Sequence, residues 1–397
     1  MKERGQVPKR RLRVAVIANG NPRNVGLWSG TPRHMLDALG RRVDLVFVAE
    51  SIWPRWYRPL GRLLKLVSGM RFHYSWSPPY AGLAARQLIR RLRAARPDVV
   101  VAIAATDIAY LLPPDLLLVF VTDAVMPDLV RFYDMYRALP AAVQARAIAA
   151  EKLAFDRAIL ISVPSRWARQ SAVALQQQDE TKMAEIAWGA NIPAIKRAPR
   201  TVGNGALRLL FVGSDWQRKG GPIALEVARL LNERGIDCWL DIVGCAADVI
   251  DEPVPNHVHF HNFLDKTRTA DCAILDRLYR SATVFLLPTG AEAWGIVFAE
   301  AAHHGLPSVA YAVGGVTSVV KHGETGLLLP VDARAGDFAA AIERLTGDRK
   351  VYVAMSRAAL GDARVRLNWE VWAERLEAEI RERLCALPNR ADPAAAV

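Results

Sequence analysis

The sequence predicts an α/β chain built from two doubly wound, parallel-sheet domains in tandem. Three observations predict it. At 397 residues the chain is long for a single hydrophobic core. Short, continuously apolar, β-rich runs alternate with helical patterns, as strands buried on both faces require. The alternation stops at residues 191–206 (NIPAIKRAPRTVGNGA), a stretch rich in Pro, Gly and basic residues without periodicity, and then restarts.

The first half carries strand-like runs at 13–18 (RVAVIA), 43–49 (VDLVFVA), 98–104 (DVVVAIA), 116–122 (LLLVFVT) and 158–164 (AILISVP). Helical patterns fall at 81–96, 141–156 and 165–175. In the second half, LRLLFVG (207–213) leads into a helix at 221–235, with Pro222 in its first turn and Gly235 past its end. Strands follow at 239–244, 258–263, 282–288, 306–312 and 326–331, with helices near 270–280, 296–304, 335–346 and 350–360. The spacing predicts domains over 1–192 and 205–368. A terminal amphipathic helix over 369–388 has Trp369, Val371, Trp372, Leu376 and Leu384 as its apolar positions. In such folds ligands bind beyond the carboxyl ends of the strands, so two of these domains create one cleft.

Composition narrows the class. About half the residues are apolar and under a quarter charged, which confines expected disorder to the ends, 1–11 and 389–397. Cys238, Cys245, Cys272 and Cys385 form no CxxC pair and read as buried thiols of a reduced, cytoplasmic protein. The apolar run VAVIA is too short for a signal peptide, and the stretch 99–121 is broken by Asp107, Pro113, Pro114 and Asp115, so no membrane span is expected. Residues 1–96 hold 20 basic and 4 acidic side chains, +16, whereas the other 301 hold 32 and 36, −4. That asymmetry points to an anionic partner for the first quarter, or to a soluble basic surface.

Three segments carry candidate chemistry. In 288–305 (PTGAEAWGIVFAEAAHHG) a strand ends, a loop carries Glu292, and a helix starts near Gly295 with Glu300 in its second turn. The backbone N–H groups of Gly295, Ile296 and Val297 suit a diphosphate, and the carboxylates suit hydroxyl donors. A capping Glu plus a solvated Glu reads the same residues. In 213–221 (GSDWQRKGG), Gly213 ends a strand and Arg218 and Lys219 precede another helix N-terminus, a phosphate clamp by chemistry but weak as a lone motif. The first turn, 18–36, contains Gly20, Gly26 and Gly30 but no GxGxxG. Gly30 before Pro32 fits either a close ligand approach or a plain tight turn.

Together these segments resemble the retaining GT-B glycosyltransferases of glycosyltransferase family 4. The resemblance rests on Glu292-x7-Glu300, the following A-x-x-x-G-x-P-x-V (301–309), and GGV (314–316) with VKHGETGLL (320–328). Ser165-Arg166-Trp167, WGAN at 188–191 and the Trp369 helix also match. The likeness is specific over 207–330 and looser before residue 130. It implies a GT-B fold: two facing Rossmann-like domains, with the C-terminal helix crossing back to the first. It implies sugar transfer with retention from a nucleoside-diphosphate sugar. Arg218 and Lys219 would hold the diphosphate, Glu300 the ribose hydroxyls and Glu292 the transferred sugar. The helix start at Gly295 would bind phosphate, and Gly30 would approach it from the first domain. Many relatives carry a His after the fourth strand. Here Asp123 stands in that loop (VTDAVMPD) and fits either an acceptor-orienting group or a helix cap.

The clamp's own cations leave no evident need for a metal, and no cofactor is expected beyond the donor substrate. His257, His259 and His261 alternate in HVHFHNF and on a strand would share one face, yet no carboxylate or Cys joins them at metal-ligand spacing. Residues 51–74 mix Trp53, Trp56 and Tyr57 with Arg55, Arg58, Arg62, Lys65 and Arg71 and contain no acid. This is the profile of an interfacial helix on anionic lipid, or of a surface helix with long side chains over apolar area. The acceptor expected is a carbohydrate or lipid-linked molecule, met at the inner face of the cell membrane. Nucleic acid is not expected, since core strands interrupt the basic segment. The rival readings are a nucleotide-sugar epimerase or hydrolase, and a non-catalytic nucleotide-sugar-binding protein.

Overall fold

The structure, a computed structural model, describes residues 10–49, 63, 78–193, 197–203, 205–250 and 253–387. Apart from Leu63, the aromatic and basic segment 51–74 lies outside the described residues, as do most of both chain ends and part of the 191–206 linker.

Two compact units emerge. The first takes the chain up to Val163, Ala168–Ile186 and the chain from Trp369 onward; the second takes Pro164–Trp167 and Ala187–Asn368. The first unit's sheet contains β1 (Arg13–Ala18), β2 (Asp44–Val48), β3 (Val99–Ile103), β4 (Leu118–Val121), β5 (Ala158–Val163) and β6 (Met183–Glu185), ordered β2-β1-β3-β4-β5-β6. Every pairing is parallel. All five residues of β3 and all four of β4 are buried, which is why these strands read as unbroken Val, Leu, Ile and Phe. The edge strand β6 had no signal in the sequence: MAE is three residues long, and only its register against Ile161–Val163 makes it a strand.

The terminal helix Trp369–Ala386 belongs to the first unit and packs on the helix Thr31–Arg42. Its buried stripe is Trp369, Trp372, Ala373, Leu376 and Ile380, with helical spacing throughout. Each large member stabilises the docking by about 1.5–3 kcal/mol. Trp369 stacks on His34 with ring centroids 6.4 Å apart, and Arg42 Nε donates to Glu377 Oε2 at 2.9 Å. Among the described residues no helix is long and apolar enough to cross a membrane.

The second unit's sheet contains β7 (Leu207–Val212), β8 (Cys238–Val243), β9 (Val258–Phe260), β10 (Val284–Leu287), β11 (Ser308–Tyr311) and β12 (Gly326–Leu329). It is also wholly parallel, ordered β9-β8-β7-β10-β11-β12. This is the 3-2-1-4-5-6 dinucleotide-fold order, in which the chain reverses direction across the sheet between its first and fourth strands, here β7 and β10. The crevice beyond their carboxyl ends is the position such a sheet reserves for a ligand. Phe211, Phe285 and Phe298 fill the core beneath it, Phe285 and Phe298 edge to face at 5.4 Å.

Two local expectations are corrected. The strand expected over 258–263 ends at Phe260, and His261 lies beyond it with Nε2 2.7 Å from Asp241 Oδ1. Asp241 comes from the neighbouring strand β8, a partner that spacing along the chain does not reveal. The cysteines divide: Cys238 and Cys245 are buried, and burial pushes the Cys238 thiol up to about 12. Cys272 and Cys385 sit on exposed helix faces.

Candidate active site

The second unit brings three loops together beyond the carboxyl ends of β7, β10 and β11. The loop after β7 runs over 213–220 and opens the helix Gly221–Glu233. Its last residue, Gly220, has φ 77°, and a Cβ there would stand 1.9 Å from the Pro288 carbonyl oxygen. Only glycine permits that left-handed turn and that approach. Arg218 joins the loops: its carbonyl accepts the Gly290 N–H at 2.8 Å, and its Nη1 donates to the Ala291 carbonyl at 3.0 Å. Its Nε donates to Asp215 Oδ2 at 2.9 Å. The guanidinium is thereby held in one orientation.

Lys219, one residue on, carries its stem across Gly213, where a Cβ would lie 2.9 Å from Lys219 Cγ. Its ammonium pairs with the Glu292 carboxylate. The two side chains are 13% and 10% exposed, so the pair is shielded from bulk water far more than a surface salt bridge is. Glu292 is held from behind, its carbonyl accepting the Gly315 N–H at 3.0 Å from the loop after β11. The helix Ile296–His303 begins at Gly295, with φ 83° and no side-chain cap. The Phe298 N–H closes its first turn onto the Gly295 carbonyl at 2.9 Å. Glu292 Cγ would sit 3.1 Å from a Gly295 Cβ, so the stem of the glutamate packs beside the helix start. Ile296 and Val297 are half-buried beside them.

Glu300 stands apart from this group. Its side chain is fully buried, pairs with the Lys266 ammonium through Oε1 and accepts the Tyr279 hydroxyl at 3.1 Å through Oε2. Burial, reinforced by the Glu300 charge, pushes the Tyr279 phenol well up from its ordinary value. Tyr279 stacks on His304 at 4.8 Å, and His304 Nε2 lies 3.0 Å from Asp276 Oδ1. Burial raises the Asp276 carboxyl, but the His304 contact and the Arg197 charge outweigh it and hold the group below the usual carboxylate range. Sequence reasoning missed Lys266 and Tyr279, which come from the turn before the helix Thr269–Ser281 and from that helix.

The first unit supplies the other predicted residues. Gly30 has φ 89° and caps the helix Thr31–Arg42; Trp28 and Ser29 before it also have positive φ, 48° and 53°. Such conformations cost of order 1–3 kcal/mol for non-glycine residues and persist only where the surroundings enforce them. Asp123 lies two residues beyond β4. The helix that follows, Met126–Phe132, has Val125 at its N-cap position.

Burial, then the charges of Asp123, Glu151 and Asp107, push the Tyr136 hydroxyl up. Glu151 is wholly buried; burial lifts its carboxyl to about 8 even though it accepts the Met126 N–H and the Gln176 amide, each at 2.6 Å. Burial also raises Asp128, one of whose oxygens is buried without a hydrogen-bond partner among the described residues. Among the described residues no group of three or more His, Cys, Asp or Glu side chains could hold a metal ion.

The comparisons with known proteins now have a geometry to stand on. Residues 206–348 match the family model for glycosyl transferases group 1, the span that contains all three converging loops. The chain is 33% identical over 169 residues to a D-inositol 3-phosphate glycosyltransferase of Pseudarthrobacter chlorophenolicus, covering 41% of this chain and 40% of that protein. It is 32% identical over 199 residues to a phosphatidyl-myo-inositol mannosyltransferase of Mycobacterium leprae, covering 48% and 51%. The chain thus spans about half or less of the length of these relatives. A glycosyltransferase structure from Rickettsia africae superposes with a TM-score of 0.66 over 95% of this chain and 99% of that one, at 13% identity, a likeness of fold. The second unit thus carries the match to glycosyl transferases group 1, and the chain shares the GT-B fold of a solved glycosyltransferase.

Proposed function

We propose that the protein is a retaining glycosyltransferase that moves a sugar from a nucleoside-diphosphate sugar to a hydroxyl acceptor in glycan or glycolipid synthesis. One observation carries the reading: a shielded Lys219–Glu292 pair whose glutamate stem packs beside a helix start opened by glycine at the β7/β10 crevice, inside the span that matches the family model. Departure of a nucleoside diphosphate builds negative charge on its phosphates. In this reading Lys219, Arg218 and the helix start at Gly295 meet that charge, and preorganised groups of this kind lower a barrier most. A diphosphate replaces Glu292 as the counter-charge of Lys219, which turns the Glu292 carboxylate toward the hydroxyls of the transferred sugar. Glu300 takes the ribose hydroxyls. With the leaving phosphate itself available to take the acceptor proton, attack on the same face as departure gives retention.

On the acceptor side we assign Gly30 to the donor phosphate and Asp123 to the acceptor. A carboxylate such as Asp123 suits hydroxyl groups, which donate to it. A panel of nucleoside-diphosphate sugars tests the reading, with donor-dependent thermal stabilisation and product stereochemistry as readouts. One donor raising the melting temperature, followed by transfer with retention, is expected; no stabilisation by any donor overturns it.

We further propose that the protein sits peripherally on an anionic membrane surface through residues 51–74, with a lipid-linked acceptor. The +16 charge of residues 1–96 supports this. Co-sedimentation with phosphatidylserine vesicles should depend on Arg55, Arg58, Arg62 and Lys65. Equal pelleting with neutral vesicles, or by the variant lacking all four charges, contradicts it.

A further inference from the structure

Glu300 is not a lone carboxylate but one member of a bonded group of three. Its carboxylate is fully buried, whereas the Lys266 side chain bonded to it is 25% exposed. The third member, Tyr279, is also buried. Of the three side chains, Lys266 is therefore the one that reaches solvent.

The turn that presents Lys266 is built to hold it. Asp265 Oδ1 accepts the Thr267 N–H at 2.8 Å, and the Asp265 N–H is itself held by Asp271 Oδ2 at 3.0 Å. The Lys266 carbonyl lies 3.3 Å from Cys272 Sγ. Asp271 and Cys272 belong to the helix Thr269–Ser281, which also supplies Tyr279. One helix and its leading turn thus fix both partners of Glu300.

The chemistry of the pair is specific. An alcohol both donates and accepts, so a carboxylate alone satisfies half of it. A carboxylate has about four acceptor sites, two of them used here by Lys266 and Tyr279; an ammonium has three donors, one of them used by Glu300. Together they can donate to and accept from each hydroxyl of a vicinal diol.

We propose that Lys266 is a specificity-determining residue of the donor site. With Glu300 it reads the ribose 2′,3′-diol, and it makes the protein select ribonucleotides over deoxyribonucleotides. This rests on the donor-site reading above.

Titration calorimetry with UDP, GDP and ADP first identifies the diphosphate that binds. Its 2′-deoxy and 3′-deoxy counterparts are then compared on the wild-type protein, an arm that needs no variant to fold. At least one deoxy form binds about 10- to 100-fold more weakly, as expected for loss of a hydrogen bond to a charged group. In Lys266→Met that ratio falls to about twofold, and Lys266→Arg restores most of it; a merely structural lysine would weaken ribo and deoxy forms alike. If both deoxy forms bind the wild type within twofold of the parent, or Lys266→Met keeps the full ratio, the inference is overturned and the donor reading stands. If none of the three diphosphates binds, both are overturned.

Discussion

The two units differ most in how they hold carboxylates. Beyond β7 and β10 the second unit gathers compensated charge: Arg218 with Asp215, Lys219 with Glu292 and, nearby, Lys266 with Glu300. In the first unit the distinctive acid is buried and neutral instead: burial lifts the Glu151 carboxyl to about 8, and it accepts the Met126 N–H and the Gln176 amide. A compensated site exchanges a carboxylate for an incoming phosphate at little electrostatic cost. A buried acid that keeps its proton offers no charge to exchange. The contrast lies in how two similar parallel-sheet units handle carboxylates: the second pairs them, and the first neutralises one by burial.

The largest effect expected separates the two glutamates of the second unit. Glu292→Gln should lower kcat about 10²-fold or more with a small change in donor KM, because it acts where charge develops. Glu300→Gln should instead raise donor KM about tenfold and leave kcat nearly intact. Steady-state kinetics over a donor titration reads both; equal effects of the two substitutions on kcat would erase the division of roles.

The next effect probes the buried Glu151 of the first unit. The Glu151 carboxyl titrates near 8 in the folded chain against an ordinary value of 4.5, so folding takes up a proton between these values. The stability this contributes is full below about pH 4.5 and is lost as pH rises through 8. Glu151→Gln keeps the neutral shape and should remove a slope of about 1.4 kcal/mol per pH unit across that window. Denaturant melts at pH 5, 6.5 and 8 check it, and parallel curves for the two proteins would show that Glu151 is ionised throughout.

The smallest effect lies away from these carboxylates. Arg41 pairs with Glu370 between the first and last helices of the first unit, both about half exposed. Arg41→Ala should cost less than about 1 kcal/mol, since the buried Trp369, Trp372 and Leu376 stripe holds that helix. A larger loss in the same melts would move the docking energy from packing to charge.

These contrasts also explain what the sequence made legible. The strands β3 and β4 were readable because burial on both faces leaves an unbroken apolar run. Arg218, Lys219 and Glu292 were readable as a set because each follows a strand that meets its partner at the order reversal of the second sheet. Lys266 was not, since its partner lies 34 residues away and its own turn looks like any solvated loop. The Asp241–His261 contact was hidden likewise, because it depends on β8 and β9 being neighbours. The left-handed Trp28 and Ser29 carry no signal in residue type at all. Periodicity reveals which residues are buried, but contacts between loops follow from strand order, which periodicity leaves open.

The central claim is that the β7/β10 crevice of the second unit holds the donor diphosphate through Lys219. Titrating the wild type and Lys219→Ala with the tightest-binding nucleoside diphosphate tests it most directly, with melting temperatures recorded for both. The account predicts binding at least about tenfold weaker in the variant, as loss of a charge-assisted contact requires. Equal affinity in two folded proteins would contradict it and move the diphosphate elsewhere.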